Sequence, residues 1–296
     1  MALRRLLGRV PRIAVEDPGM PRYRTLMAEL GAEVVGVPVD DDGLQVAALE
    51  RAGADAVLAT PAHQSPTGVA LSAPRRAALA AWARAGRYVI EDDYDAEFRY
   101  DRAPLAALQG LAPEQVAYVG SASKSLAPGL RLGWIVAPAA LAEPLGRLRV
   151  LADGGSPTIE QHVLALLIER GGYDRHLRAA RRRYRARRDA LVVALERDLP
   201  GAVVRGIAAG LHAVVAPPEP LDEAALLGAA AARSVGVYPL GWSYVTPRAA
   251  GGAMILGYAT LPEPPSARAC GAWPPRWTRC AGRRPRRPRR RRPSPR

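Results

Sequence analysis

Lys124 is the only lysine in a chain of 296 residues that carries 42 Lys and Arg together, so every other basic residue is an arginine. It sits in SASKSLAPGLRLGW (121–134), flanked by Ser121, Ser123 and Ser125, with Gly129 and Arg131 just beyond. A primary amine forms a Schiff base with a carbonyl, and a guanidinium does not. Short hydroxyls, a glycine-containing loop and one guanidinium are donors that suit a phosphate dianion. The segment therefore joins a candidate imine-forming amine to a candidate anion cradle.

A second stretch, RYVIEDDYDAEFRY (87–100), crowds Glu91, Asp92, Asp93 and Asp95 at the end of an apolar run. Carboxylates this close do not all ionise cheaply unless a cation faces them. The ring nitrogen of pyridoxal 5'-phosphate is one such cation, since a carboxylate keeps it protonated and the ring then acts as an electron sink. A hydroxyl such as that of Tyr94 can hydrogen-bond the ring's phenolic oxygen. A metal ion is the rival partner, but no histidine stands at useful ligand spacing. The residues themselves do not choose among the four acids. A third stretch, TPAHQSPTG (60–68), has two prolines and a glycine that stiffen a loop bearing His63, Gln64, Ser65 and Thr67.

These stretches need elements to hold them. RIAVED (12–17), AEVVGVPV (32–39), DAVLAT (55–60), RYVIED (87–92), VAYVGS (116–121) and LGWIVAP (132–138) read as strands. Several lack polar alternation, which predicts burial on both faces of a mostly parallel sheet. Helical patterns lie between them at 22–32 and at 72–86, the latter with Ser72 as N-cap, Pro74 in its first turn and Gly86 at its end. Lys124 then falls where a strand leaves the sheet, the place open α/β sheets put ligands. From Leu145 onward helices dominate, with one long helix over 175–199, followed by short strands, a helix over 221–236 and a final strand AMILGYAT. The spacing predicts an α/β large domain over 1–145, a smaller α+β domain over 146–263, and a disordered Arg/Pro-rich tail over 264–296.

The formal net charge of +14 suggests nucleic acid, yet twelve arginines and no acid lie in 264–296. The rest of the chain is nearly neutral. Cys270 and Cys280 share that tail at a spacing that fits no common zinc pattern, so no metal is expected. The arginine-dense helix lacks a recognition-helix pattern and reads as a solvated surface. No apolar run is long enough to cross a membrane and the N-terminal residues lack a signal-peptide pattern, so a soluble, cytoplasmic protein is expected.

VEDPGMPRYR, TPAHQSPTG, IEDDYDAEFRYDRAPLAALQG and YVGSASKSLAPGLRLGWIVAP occur in an order that resembles fold-type-I, pyridoxal-phosphate-dependent aminotransferases of class I/II. More narrowly, the chain resembles the aminotransferase-like domain of MocR-type regulators in the GntR family, with further matches at HLRAARRRYRARRDAL, GLHAVV and ILGYATLPE. The resemblance runs from about Arg12 to Glu263. It implies pyridoxal 5'-phosphate as cofactor, Lys124 as the Schiff-base lysine, Asp92 facing the ring nitrogen and Tyr94 at the phenolic oxygen. It also implies phosphate contacts from Ser121, Ser123 and Arg131, with Ser65 and Gln64 in the adjoining loop. A homodimer and an amino-acid or amine ligand are implied as well.

The pattern departs in places. MocR-type chains begin with a winged helix-turn-helix, and their large domain has an earlier Gly-Ser turn. Here the front is expected to be missing, so DNA would be reached only through that absent module or through the basic tail. Met20 stands where an aromatic usually stacks on the ring, Ser65 where transaminases have Asn, and Ile255 near the usual carboxylate-clamping Arg. The tail is expected to be a frame-shifted ending rather than a nucleic-acid arm. The expected function is effector sensing, with two alternatives: a working aminotransferase between an amino acid and a 2-oxo acid, or a nucleic-acid-binding protein acting through its tail.

Overall fold

The structure is a computed structural model that describes residues 7–100, 105–246 and 249–259. The basic tail with Cys270 and Cys280 lies outside the described residues. The first half runs through β1 (Arg12–Asp17), α1 (Pro21–Glu29), β2 (Glu33–Asp40), β3 (Gly43–Leu44), α2 (Val46–Arg51) and β4 (Ala56–Ala59). It continues with α3 (Ala73–Arg84), β5 (Tyr88–Asp93), β6 (Val116–Ser121), α4 (Ala122–Ser125) and β7 (Gly133–Val136).

These strands form one sheet in the order β3-β2-β1-β4-β5-β6-β7. The five inner strands are parallel, while β3 and β7 pair antiparallel at the two ends. The mostly parallel α/β sheet expected from unalternated Val and Ile runs is thus observed. Helices α2 and α3 close one face over Leu44, Leu49, Val57, Leu79, Trp82, Val89 and Leu108. Strand β7 differs: all four of its residues are exposed, Trp134, Ile135 and Val136 among them.

The second half comprises α5 (Ala139–Asp153), α6 (Ile159–Glu169), α7 (Gly172–Asp198), β8 (Val203–Arg205), β9 (His212–Ala216), α8 (Glu223–Ala231), β10 (Tyr238–Pro239) and β11 (Met254–Gly257). Its strands make an antiparallel sheet in the order β10-β11-β9-β8. The buried face of α7, with Leu191 and Leu195, packs on Val215, Tyr258 and Phe98, whose ring meets Tyr184 edge-on at 5.0 Å. Gly171 at φ 65° makes the left-handed turn that separates α6 from α7.

Four features differ from, or add to, the sequence expectations. Helix α5 begins at Ala139 and carries Pro144 inside it, so it runs without a break through the expected boundary at 145–146. The segment over 43–51 forms a short strand and a six-residue helix, too brief to show a period. Ser72 occupies the N-cap of α3 but makes no side-chain cap bond. The arginine-dense α7 is also more than a solvated face. Arg188 is buried, bonds the Ile207 carbonyl at 2.7 Å and lies over the Tyr100 ring, while Arg181 holds the Glu97 carbonyl. Several of its guanidiniums therefore tie the two halves together.

Candidate functional site

Parallel pairing carries the C-terminal ends of β1, β4, β5 and β6 to one edge of the sheet. The residues after them are Glu16 to Pro18, the 60–68 loop, the acids of β5, and Ser121 to Lys124. Registers such as Asp92 opposite Val119 and Asp93 opposite Gly120 fix how far each strand projects. This edge collects the residues singled out from the sequence.

The structure separates the four acids. Glu91 is buried and accepts hydrogen bonds from the Leu108 and Gln109 amides at 2.7 and 2.9 Å, capping a 3-10 turn. Asp93 accepts from the Tyr118 hydroxyl at 2.8 Å and from the Ala96 amide at 3.2 Å. Asp95 is held by His63 Nδ1, 3.0 Å from Oδ2 and 3.2 Å from Oδ1. Only Asp92 keeps a buried oxygen, Oδ2, that makes no hydrogen bond within the protein. Burial chiefly, with the charges of Asp93 and Asp95, pushes the Asp92 carboxyl up to about 6, opposed by the Tyr23 hydroxyl. Tyr23, on α1, is itself pushed up to about 12 by burial and by Asp92. A buried carboxylate oxygen without a donor suits a cationic N–H more than anything else.

Tyr94 follows directly. Its hydroxyl is 3.1 Å from His63 Nδ1, and burial holds its pKa well above that of a free phenol, with Ser65 hydrogen bonding opposing. The 60–68 loop is braced from beneath. Gln64 donates from Nε2 to Glu16 Oε2, the Pro18 carbonyl and the Ser65 carbonyl, and its Oε1 accepts from the Thr67 amide and hydroxyl. Both polar side-chain atoms of Gln64 are thereby engaged within the protein. Glu16 also accepts from Thr60, and burial raises its carboxyl to about 7.

Lys124 lies on α4, a single helical turn rather than an open loop, and is exposed. Ser121 starts that turn, its Oγ accepting from the Ser123 amide at 3.0 Å. The far side of α4 is anchored by Tyr173, which donates to Ser125 Oγ at 2.9 Å, and by His176 Nε2 at 2.8 Å from the Ser125 carbonyl. Arg131 is exposed at φ 53°, a left-handed conformation that turns the chain back into β7. The positive charge of Lys124 reaches His212 on β9, where it adds to burial and to His63 in lowering the imidazole to about 4.

Sequence reasoning noted His63 only as a loop polar residue and passed over Tyr23, Glu16 and His212. Their roles rest on contacts across tens of residues, and no local spacing signals them. Met20 is 41% exposed at the start of α1, and Ile255 pairs with Val214 and Tyr238 in the small sheet. Among the described residues no group of three or more His, Cys, Asp and Glu could hold a metal ion.

Comparison with known proteins agrees with this geometry. The family model described as aminotransferase class I and II matches residues 2–248. The chain is 40% identical over 221 residues to the pyridoxine biosynthesis transcriptional regulator PdxR of Corynebacterium glutamicum, covering 74% of this chain and 48% of that protein. It is 32% identical to the probable rhizopine catabolism regulatory protein MocR of Rhizobium meliloti, over 83% of this chain and 50% of the relative. The chain thus spans about half the length of these regulators. Among solved structures, kynurenine aminotransferase of Pyrococcus horikoshii superposes with a TM-score of 0.82 at 25% identity, over 89% of this chain and 68% of the other.

Proposed function

This chain belongs to the aminotransferase class I and II family, and we propose that it binds pyridoxal 5'-phosphate as the effector-sensing part of a MocR-type transcriptional regulator. The observation that carries the reading is the buried, unbonded Oδ2 of Asp92, at the same sheet edge as the chain's only lysine. That pairing fits the cofactor, which has a protonated ring nitrogen at one end and an aldehyde carbonyl on the ring carbon opposite it. When bound, the cofactor would supply an electrophilic carbon and an electron-withdrawing ring.

The residues then divide the work. Asp92 would hold the proton on the ring nitrogen, and that cation would offset the burial that otherwise disfavours the carboxylate. Tyr94 would donate to the phenolic oxygen. Lys124 would provide the amine that bonds the carbonyl carbon, and Ser121, Ser123 and Arg131 would hold the phosphate, Arg131 as the charged member. Ser65 supports Tyr94, and Gln64 braces the loop from behind. The ligand sensed would be an amino acid or another amine, because it must exchange with the Lys124 amine.

The half-length match to helix-turn-helix regulators supports sensing as the task. A homodimer would be the assembly in keeping with the same kinship. DNA contact would belong to the part of such regulators that this chain does not match. No helix among the described residues is long and apolar enough to cross a membrane. A transaminase is the second reading, favoured by the likeness to kynurenine aminotransferase. Against it, Ile255 offers no guanidinium to a substrate carboxylate.

The test is a titration of the purified protein with pyridoxal phosphate, followed by a panel of amino acids and amines. A visible band that saturates at one cofactor per chain, and that selected amines shift without turnover, is expected. Protein that stays colourless in excess cofactor would reject the reading. Steady conversion of an amino acid with a 2-oxo acid would move the assignment to the transaminase.

A further inference from the structure

His63 is 3% exposed and enclosed by backbone. A Cβ on Gly210 would lie 2.6 Å from its Nδ1, and one on Gly68 would lie 3.0 Å from its Nε2. The ring has no room to turn. Nδ1 lies within 3.2 Å of both Asp95 oxygens and 3.1 Å from the Tyr94 hydroxyl, while Nε2 is buried and makes no hydrogen bond. These contacts select a tautomer. A proton on Nε2 would leave a buried donor unsatisfied and turn the Nδ1 lone pair toward a carboxylate. The proton therefore belongs on Nδ1, shared between Asp95 and the Tyr94 oxygen.

We propose that the His63–Asp95 pair is a positioning device that makes Tyr94 a hydrogen-bond donor toward the cofactor's phenolic oxygen. The inference rests on the cofactor reading above and adds to it residues that reading does not use. His63 Nδ1–H and the Ser65 hydroxyl both direct hydrogen bonds at the Tyr94 oxygen, so Tyr94's own proton must go elsewhere. The remaining direction is the site. An oxygen that accepts from N–H also becomes the stronger O–H donor. Tyr94 would then stabilise a negatively charged phenolic oxygen, which makes the lysine-bound cofactor lose its imine proton at lower pH. His63 acts through Tyr94 and is a positioning residue.

The groups facing this cluster come from several elements. Asp92 lies on β5 and Asp95 just after it, Glu16 at the end of β1, and Ser65 in the 60–68 loop. His212 faces His63 from β9 at 5.4 Å between ring centroids, and Lys124 acts on His212 from α4. His212, lowered to about 4, carries no charge near neutrality and does not compete for the His63 proton.

Two measurements test the proposal. In cofactor-free protein labelled with 15N-histidine, long-range NMR should find His63 as the Nδ1–H tautomer; the Nε2–H tautomer overturns the proposal whatever the cofactor does. In cofactor-loaded protein, the pH midpoint of the visible band should rise by about 0.5–1 unit in His63→Phe. It should rise less in Asp95→Asn, which keeps the side-chain shape without the charge, and return toward wild type in His63→Asn, whose amide replaces the Nδ1 donor. Midpoints unmoved in both His63→Phe and Asp95→Asn sink this inference while leaving the cofactor reading intact. Wild-type protein that never develops the band sinks the cofactor reading, and this one with it.

Discussion

Tyr100 and Tyr258 donate their hydroxyl protons to one acceptor, the carbonyl of Gly210, at 2.6 and 2.8 Å. Tyr100 follows the acids of β5 and Tyr258 follows β11, so residues from both halves of the molecule converge on Gly210. The Gly210 amide completes the joint by donating to the Phe98 carbonyl at 2.8 Å. Gly210 stands at φ 81° and a Cβ there would lie 2.8 Å from Asp95 Oδ2. Gly210→Ala should therefore cost ~2–4 kcal/mol, from positive-φ strain together with a buried clash. Denaturant unfolding measures it, and a loss below ~1 kcal/mol would contradict the packing described.

Asp92 and Glu16 predict an unusual pH profile for the cofactor-free protein. Both carboxyls are raised by burial, Asp92 from 3.8 to about 6 and Glu16 from 4.5 to about 7. The folded state thus binds more protons than the unfolded chain. Their contribution is fully present below about pH 4 and is lost as pH rises through about 7. Asp92→Asn should stabilise the cofactor-free protein by ~1–3 kcal/mol near pH 8 and change little near pH 4, while weakening cofactor binding. Thermal melts at the two pH values decide it, and equal melting temperatures at pH 8 would count against a buried ionised Asp92.

Arg131 is exposed, so its removal should leave the fold intact. Arg131→Ala should weaken binding of pyridoxal phosphate by about tenfold or more and leave binding of pyridoxal, which has no phosphate, nearly unchanged. Fluorescence titration with both compounds separates a phosphate contact from a general effect. Equal loss for the two would place Arg131 elsewhere.

Lys124→Arg keeps the charge at α4 and removes the primary amine. The variant should melt within about 1 °C of wild type, as expected for an exposed side chain, and should form no visible band with the cofactor. A band of full intensity in the variant would mean that another amine does the chemistry.

Much of the sheet was legible because its strands are nearly continuous Val and Ile runs. VAYVGS at 116–121 matches β6 to the residue, and RIAVED at 12–17 matches β1. The lysine and its serines were legible from composition, since one amine among arginines needs a reason. The division of labour among the acids was not. Glu91, Asp92, Asp93 and Asp95 are near neighbours in sequence, but what distinguishes them comes from Leu108, Tyr118 and His63, which only the fold brings near. Resemblance selected Asp92, and the geometry supplies a physical reason for that choice. His63 stayed unassigned because Tyr94 and Asp95 lie about thirty residues away, just beyond β5. The continuity of α5 through 145–146 was not legible, because the helix begins in LGWIVAPAA, just after a strand pattern, and carries Pro144 within it.

The antiparallel pairing of β7 with β6 encloses Lys124 and Arg131 in a single chain excursion, closed where Ser121 faces Gly133. The covalent anchor and the charged phosphate contact proposed here therefore belong to one hairpin at the sheet's end, and would open and close as a cooperative unit. Amide hydrogen exchange over 118–136 should report one shared opening event, slowed as a block when cofactor engages either residue. Ligand occupancy would then be written into the local stability of one hairpin, and any partner that senses its order would sense the cofactor.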